Sequence, residues 1–193
     1  MKISNLSISS IVGIVSTFFV SIFALLLAMV LFLISENKEQ SAKILINTFE
    51  ECVAAGNQIA ESYPRQCRTK DGQMFAENVG NILEKLDLIK LNQPFPNQII
   101  TSPLLVSGEA RGTWFFEASF PIVLTNWDGL IIAEGVAQAK DNWMTEGFVP
   151  FEAILNFEKP SYGKIGALIL QKDNPSGLPV YDDALEIPIR FEP

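Results

Sequence analysis

The sequence predicts a mainly β chain: an antiparallel sandwich carried behind a transmembrane helix and a small disulfide-stapled α+β module. Three observations predict it. A run without Asp, Glu, Lys or Arg extends over residues 8–34. The two cysteines, Cys52 and Cys67, both follow that run within a short segment. From residue 99 onward apolar residues recur with a period of two, and Gly, Pro, Asn and Asp separate the runs. That is the strand period broken by turn chemistry.

The apolar run comes first in the chain. As a helix it would be roughly 40 Å long, against a hydrocarbon core of about 30 Å, so it can cross a bilayer with tilt. A cleaved signal peptide would have a shorter apolar region and a small-x-small cleavage site. Here Leu33 stands where a small residue is needed before Ser35, and no Cys follows to accept a lipid. The run is therefore read as a retained anchor. Lys2 precedes it and Lys38 and Lys43 follow it, so lysines do not orient it. The cysteine pair does, because it suits an oxidising compartment. This places the N-terminus in the cytoplasm and the remainder outside it, as a single-pass protein of the cell membrane. Setting aside Lys2, 13 of the 14 basic residues remain against 22 acidic ones. That balance excludes nucleic acid as a partner and does not suit anionic lipid surfaces.

After a charged exit at 36–40, residues 41–55 have helical spacing, with Leu45, Phe49, Cys52 and Val53 on one face. Gly56-Asn57 is a stop signal. Arg68 to Phe75 contains Asp71-Gly72 between short β-compatible runs, a hairpin signal. Cys52 and Cys67 would staple helix to hairpin. In a module of this size the closed loop contributes about 3 kcal/mol in the chain-entropy model. Without histidine the pair does not make a zinc site, and its spacing is not that of a redox motif. Residues 77–91 carry Val79, Ile82, Leu83, Leu86 and Ile89 at spacings of three and four, which predicts a second helix. Pro94 and Pro96 then stiffen a spacer.

The strand candidates are 99–106, 113–125, 130–139, 148–157, 164–171 and 185–191. Along 114–124, Trp114, Phe116, Ala118, Phe120, Ile122 and Leu124 share one parity, which predicts one long strand. Pro103 divides the first run into two edge pieces. The predicted organisation is a short tail (1–7), a transmembrane helix (8–35), a two-cysteine α+β module (40–91), a proline-containing linker (92–98) and the sandwich (99–193).

Ser102-Pro103-Leu104-Leu105-Val106-Ser107-Gly108-Glu109-Ala110, followed by Trp114-Phe115-Phe116-Glu117-Ala118-Ser119-Phe120, resembles the immunoglobulin-like domain of bacterial spore germination proteins. Asp128-Gly129, Phe151 and Asn174-Pro175-Ser176-Gly177 are similar to that family as well. The likeness covers residues 99–192. It implies an immunoglobulin-like sandwich in an envelope protein, often beside other extracellular modules, and no catalytic residues. The Cys52–Cys67 segment resembles a small two-cysteine module of bacterial membrane-anchored proteins.

Histidine is absent, which removes the commonest general base and every Ser-His-Asp or Cys-His arrangement. No Gly-rich loop opens a helix after a strand, so no nucleotide fingerprint is met. The expectation is a protein without catalysis, cofactor or metal.

Strand alternation places the loops 107–112, 140–147 and 172–184 at one end of the sandwich, away from the linker. Loops 126–129 and 158–163 fall at the other end. The distal end gathers Glu109, Arg111, Asp141, Asn142, Trp143, Asp173, Asn174, Asp182 and Asp183, the candidate binding surface. Calcium needs six to eight oxygens and no EF-hand spacing is present, whereas Asp and Asn are good turn formers. Trp127 and Trp143 flank opposite ends of one strand and are each expected to cap the core. The expected function is binding, as a membrane-anchored extracytoplasmic protein of the bacterial envelope, with another envelope protein or a cell-wall glycan as partner. The alternative is a cysteine module that inhibits or senses an extracellular hydrolase, with the sandwich as spacer.

Overall fold

The computed structural model describes residues 25–30 and 45–192. The chain divides into two units, Met1–Ile46 and Asn47–Pro193. In the first unit residues 25–30 are helical, and Leu25, Leu26, Leu27, Met29 and Val30 are exposed. The rest of the expected transmembrane helix (8–35) and the tail at 1–7 lie outside the described residues. No helix among the described residues is long and apolar enough to cross a membrane.

The second unit opens with helix α1 (Phe49–Ala54). Thr48 caps it: its hydroxyl accepts from the Glu51 N–H at 3.1 Å, and the Glu51 carboxylate accepts from the Asn47 N–H at 2.7 Å. This reciprocal cap satisfies two orphan donors and fixes where the helix starts. The helix is accordingly shorter than the expected 41–55; residues 41–44 are not described, and Leu45 is 71% exposed rather than on the buried face. Gly56, at φ 74°, ends the helix as its position suggested.

Three short strands follow, β1 (Gln58–Ala60), β2 (Gln66–Arg68) and β3 (Met74–Ala76), paired antiparallel in that order. Asp71-Gly72 turns β2 into β3, with Gly72 at φ 92°. Cys52 and Cys67 are disulfide-bonded, with Cα atoms 6.0 Å apart, and both are fully buried.

The expected helix at 77–91 shrinks to one turn, α2 (Ile82–Lys85), followed by strand β4 (Ile89–Gln93). Gly80 takes φ 70° with the Glu186 carbonyl so close that any Cβ would clash. Val79, Ile82 and Ile89 still reach the core, but from a turn, a short helix and a strand. Leu83 and Leu86 are left exposed. The stretch read as a linker is tied down too: the Asn97 N–H donates to the Pro188 carbonyl at 2.7 Å, the Ile100 N–H to the Arg190 carbonyl at 2.8 Å, and the Arg190 N–H to the Gln98 carbonyl at 2.9 Å.

Strands β4, β5 (Leu104–Arg111), β6 (Ser119–Asn126), β7 (Ile131–Ala139), β8 (Phe148–Leu155), β9 (Ile165–Gln171) and β10 (Ala184–Arg190) pair antiparallel in the order β10-β9-β6-β7-β8-β5-β4. β7 and β8 join through Gln138–Glu152 and Ala139–Phe151, next to their connecting loop, and then separate. The sheet folds over there into two layers. Alternate residues of each strand face the interior: Leu104, Val106 and Ala110; Phe120, Ile122 and Leu124; Val149, Phe151, Ala153 and Leu155; Leu185, Ile187 and Ile189. The Phe120 ring of one layer meets the Phe151 ring of the other edge-on at 5.0 Å. The expected antiparallel sandwich therefore holds.

Pro103 does mark a break. Ile99 bridges to Arg190 in one layer, whereas β5 pairs with β8 in the other. β5 is not an edge piece, because β4 covers it. The expected long strand at 113–125 is two pieces. Gly112–Trp114 forms a 3-10 turn, and Phe116 and Ser119 exchange backbone hydrogen bonds of 3.0 Å around Glu117 (φ 51°) and Ala118 (φ 63°). Two successive positive φ values closed by such a pair make a type I′ turn. The parity therefore changes: Trp114 and Phe115 are both buried and Phe116 is exposed.

β10 lies at the end of the sheet order, where backbone groups would be open to pairing with other chains. The Asn81 side chain covers part of it. Its amide donates to the Ala184 carbonyl at 2.9 Å and its oxygen accepts from the Glu186 N–H at 2.8 Å.

Candidate functional site

The expected loop 107–112 is instead the end of β5 and the start of the 3-10 turn, and backbone hydrogen bonds tie this end together. The Gly112 N–H donates to the Gly147 carbonyl, that of Asp173 to Trp114, that of Ala139 to Ala118 and that of Lys172 to Asp183. Gly112 is required here, since a Cβ would fall 1.9 Å from the Thr145 carbonyl oxygen.

The polar residues expected to bind are largely engaged within the fold, and Glu109 and Arg111 lie in β5 rather than in a loop. Glu109 pairs with Lys90 across β4 and β5 at 2.8 Å. The Arg111 guanidinium donates to the Asp87 and Glu146 carbonyls, and stacks 4.3 Å from the Phe148 ring centroid, with Lys90 at 3.9 Å. Asp141 accepts from the Asn142 N–H, and Asn142 in turn from that of Met144. Asn174 donates to the Leu178 carbonyl and to Asp182, and accepts from Ser176. Asp183 accepts from the Ala184 N–H and pairs with Lys85 at 2.5 Å. Asp173 is placed by its own backbone bond to Trp114. Trp143 is half-buried against the core, as expected. No group of three or more His, Cys, Asp or Glu among the described residues could hold a metal ion.

These loops also turn apolar side chains outward, among exposed polar ones such as Asp141, Asn142, Glu146 and Asp182. Met144 is 75% exposed and Val180 79%, with Phe116, Leu178 and Tyr181 exposed beside them in sequence or on the adjoining loop. Sequence reasoning passed over them because polarity, not burial, was the only cue in loops.

A second concavity lies where the cysteine module meets the sandwich. It is a cleft of about 980 Å³ whose lining includes Phe49, Met74, Asn126, Trp127, Ile165 and Arg190. Trp127 is not the core cap the sequence suggested: it is 54% exposed, with its ring edge-on to Tyr162 at 6.3 Å. Gly163, at φ 80°, lets the ring lie against bare backbone, for a Cβ there would sit 2.3 Å from the indole. The Nε of half-buried Arg190 is one of two buried side-chain polar atoms among the described residues without a hydrogen-bond partner, the other being Nε1 of Trp114. Nearby, Arg65 holds Glu77 in a two-pronged pair of 2.6 and 2.8 Å. That hydrogen-bonded guanidinium keeps the Glu77 carboxyl below its usual range, with Asn97 adding a further bond.

No curated protein and no solved structure matches the chain. Residues 88–177, from just before β4 to the loop after β9, match the family of the immunoglobulin-like domain of bacterial spore germination.

Proposed function

We propose that this chain is a membrane-anchored, extracytoplasmic binding protein of the bacterial cell envelope, which works without catalysis and grips another envelope protein with the distal end of its sandwich. The anchor is the uncharged run at 8–34, and the Cys52–Cys67 disulfide suits an oxidising space. The observation that carries the reading is the set of exposed apolar side chains, Phe116, Met144, Leu178, Val180 and Tyr181, on loops held together by backbone hydrogen bonds. Met and aromatic side chains are enriched where protein interfaces are fully buried. Each such side chain covered by a partner contributes about 1.5–3 kcal/mol.

The test uses full-length protein in its own membrane, with a photo-crosslinking residue at position 180 or, as control, at position 70. A discrete protein adduct should form from position 180 alone, and Met144→Asp or Tyr181→Asp should reduce it by about tenfold or more. Equal adducts from both positions, or none from position 180, would contradict the reading.

A further inference from the structure

We propose that the cleft between the cysteine module and the sandwich binds a glycan segment in which one carboxylate-bearing sugar stands among neutral ones. The site lies at the opposite end of the sandwich from the distal loops and does not depend on them.

Three features point to this chemistry. First, Arg190 carries a permanent charge, it lines the cleft, and its buried Nε has no hydrogen-bond partner among the described residues. A guanidinium in that state lacks the planar, two-oxygen partner it matches best, a carboxylate. Arg65, close by, shows the satisfied condition in its two-pronged bond to Glu77. Second, Trp127 offers a rigid aromatic surface at the cleft wall, backed by Gly163 and braced by Tyr162. The C–H face of a sugar ring packs on such a surface, and indole combines an apolar body with a polar tip. Third, the remaining lining mixes Thr48, Asn97 and Asn126 with Phe49 and Met74. A sugar has the same mixed surface, hydroxyls and amides around an apolar ring face. The size suits a ligand of this kind, since binding clefts run from about 300 to 1,000 Å³.

The charges limit the number of carboxylates. Exposed Glu50 and Glu186 also line the cleft. A polymer with a carboxylate on every sugar would be repelled by them, whereas one isolated carboxylate can reach Arg190 and leave neutral sugars beside the glutamates.

The probe is a trisaccharide with one uronate between two N-acetylhexosamines, titrated into full-length protein in detergent, with tryptophan emission and calorimetry as readouts. Its carboxyl-reduced counterpart and an acidic hexapeptide are the comparison ligands. Saturable binding of the acidic sugar is expected, with the reduced sugar weaker by about tenfold or more. Arg190→Gln should erase that difference. Trp127→Ala, at an exposed ring, should weaken both sugars and abolish the emission change. Val180→Asp should alter neither, which separates this site from the distal surface. Equal binding of acidic and reduced sugars, binding of the peptide alone, no saturable binding, or unchanged affinity in well-folded Trp127→Ala would overturn the proposal.

Discussion

Replacing Phe120 with alanine is expected to lower the unfolding free energy by about 3–5 kcal/mol, the range for truncating a large buried aromatic. Phe120 is fully buried in β6. Its ring sits between two others, edge-on to Phe115 at 5.2 Å and to Phe151 at 5.0 Å. It therefore contributes both burial and aromatic contacts that join one layer to the other. The cavity would open where β6 and β8 face each other, and both strands are paired on their other sides, so collapse around it is restricted. Denaturant unfolding of the full-length protein in mild detergent reads the effect. Val180→Ala, at a side chain 79% exposed, should stay within about 0.5 kcal/mol of the parent. A loss under about 1 kcal/mol for Phe120→Ala would mean that the two layers are not packed through this ring.

The second large effect is expected from Cys52→Ala with Cys67→Ala. The bond joins residues fifteen apart in sequence, and its removal should cost about 3 kcal/mol. The loss should be local. Phe49, Cys52 and Cys67 are buried, but they do not belong to the cluster that fills the sandwich, whereas Val79 and Ile82 do. Three-residue strands around so small a core have little else to hold them. Amide exchange should therefore become fast at β1, β2 and β3 while β6 and β9 keep their protection. Unchanged protection at Gln66–Arg68 would show that the module does not depend on its staple.

Much of the sandwich was legible because its strands obey period two. Val149, Phe151, Ala153 and Leu155, and Ile187 and Ile189, alternate with outward residues in sequence and in structure. Strand alternation did not show that the expected loop 107–112 belongs to β5. The turn at Glu117-Ala118 was not legible, because neither residue belongs to the types that favour positive φ; buried neighbours on both sides, Phe115 and Phe120, hold it there against local preference. β4 was hidden by an accidental helical spacing, with Gly80 and the Glu186 carbonyl deciding the outcome from far along the chain. The cleft was invisible for a similar reason. Alternation shows that Arg190 faces outward, but not that the cysteine module lies over that face. The role of Asn81 as a cap on β10 likewise depends on partners more than a hundred residues away.

The reading of this chain as a binding protein of the envelope stands on its sandwich lying outside the cytoplasm. The direct measurement is a pair of reporters fused after Pro193 in living bacteria: a phosphatase that folds only in an oxidising compartment, and an enzyme active only in the cytoplasm. The first should be active and the second silent. Activity of the second alone would reverse the topology, remove the setting for the Cys52–Cys67 bond, and contradict the account.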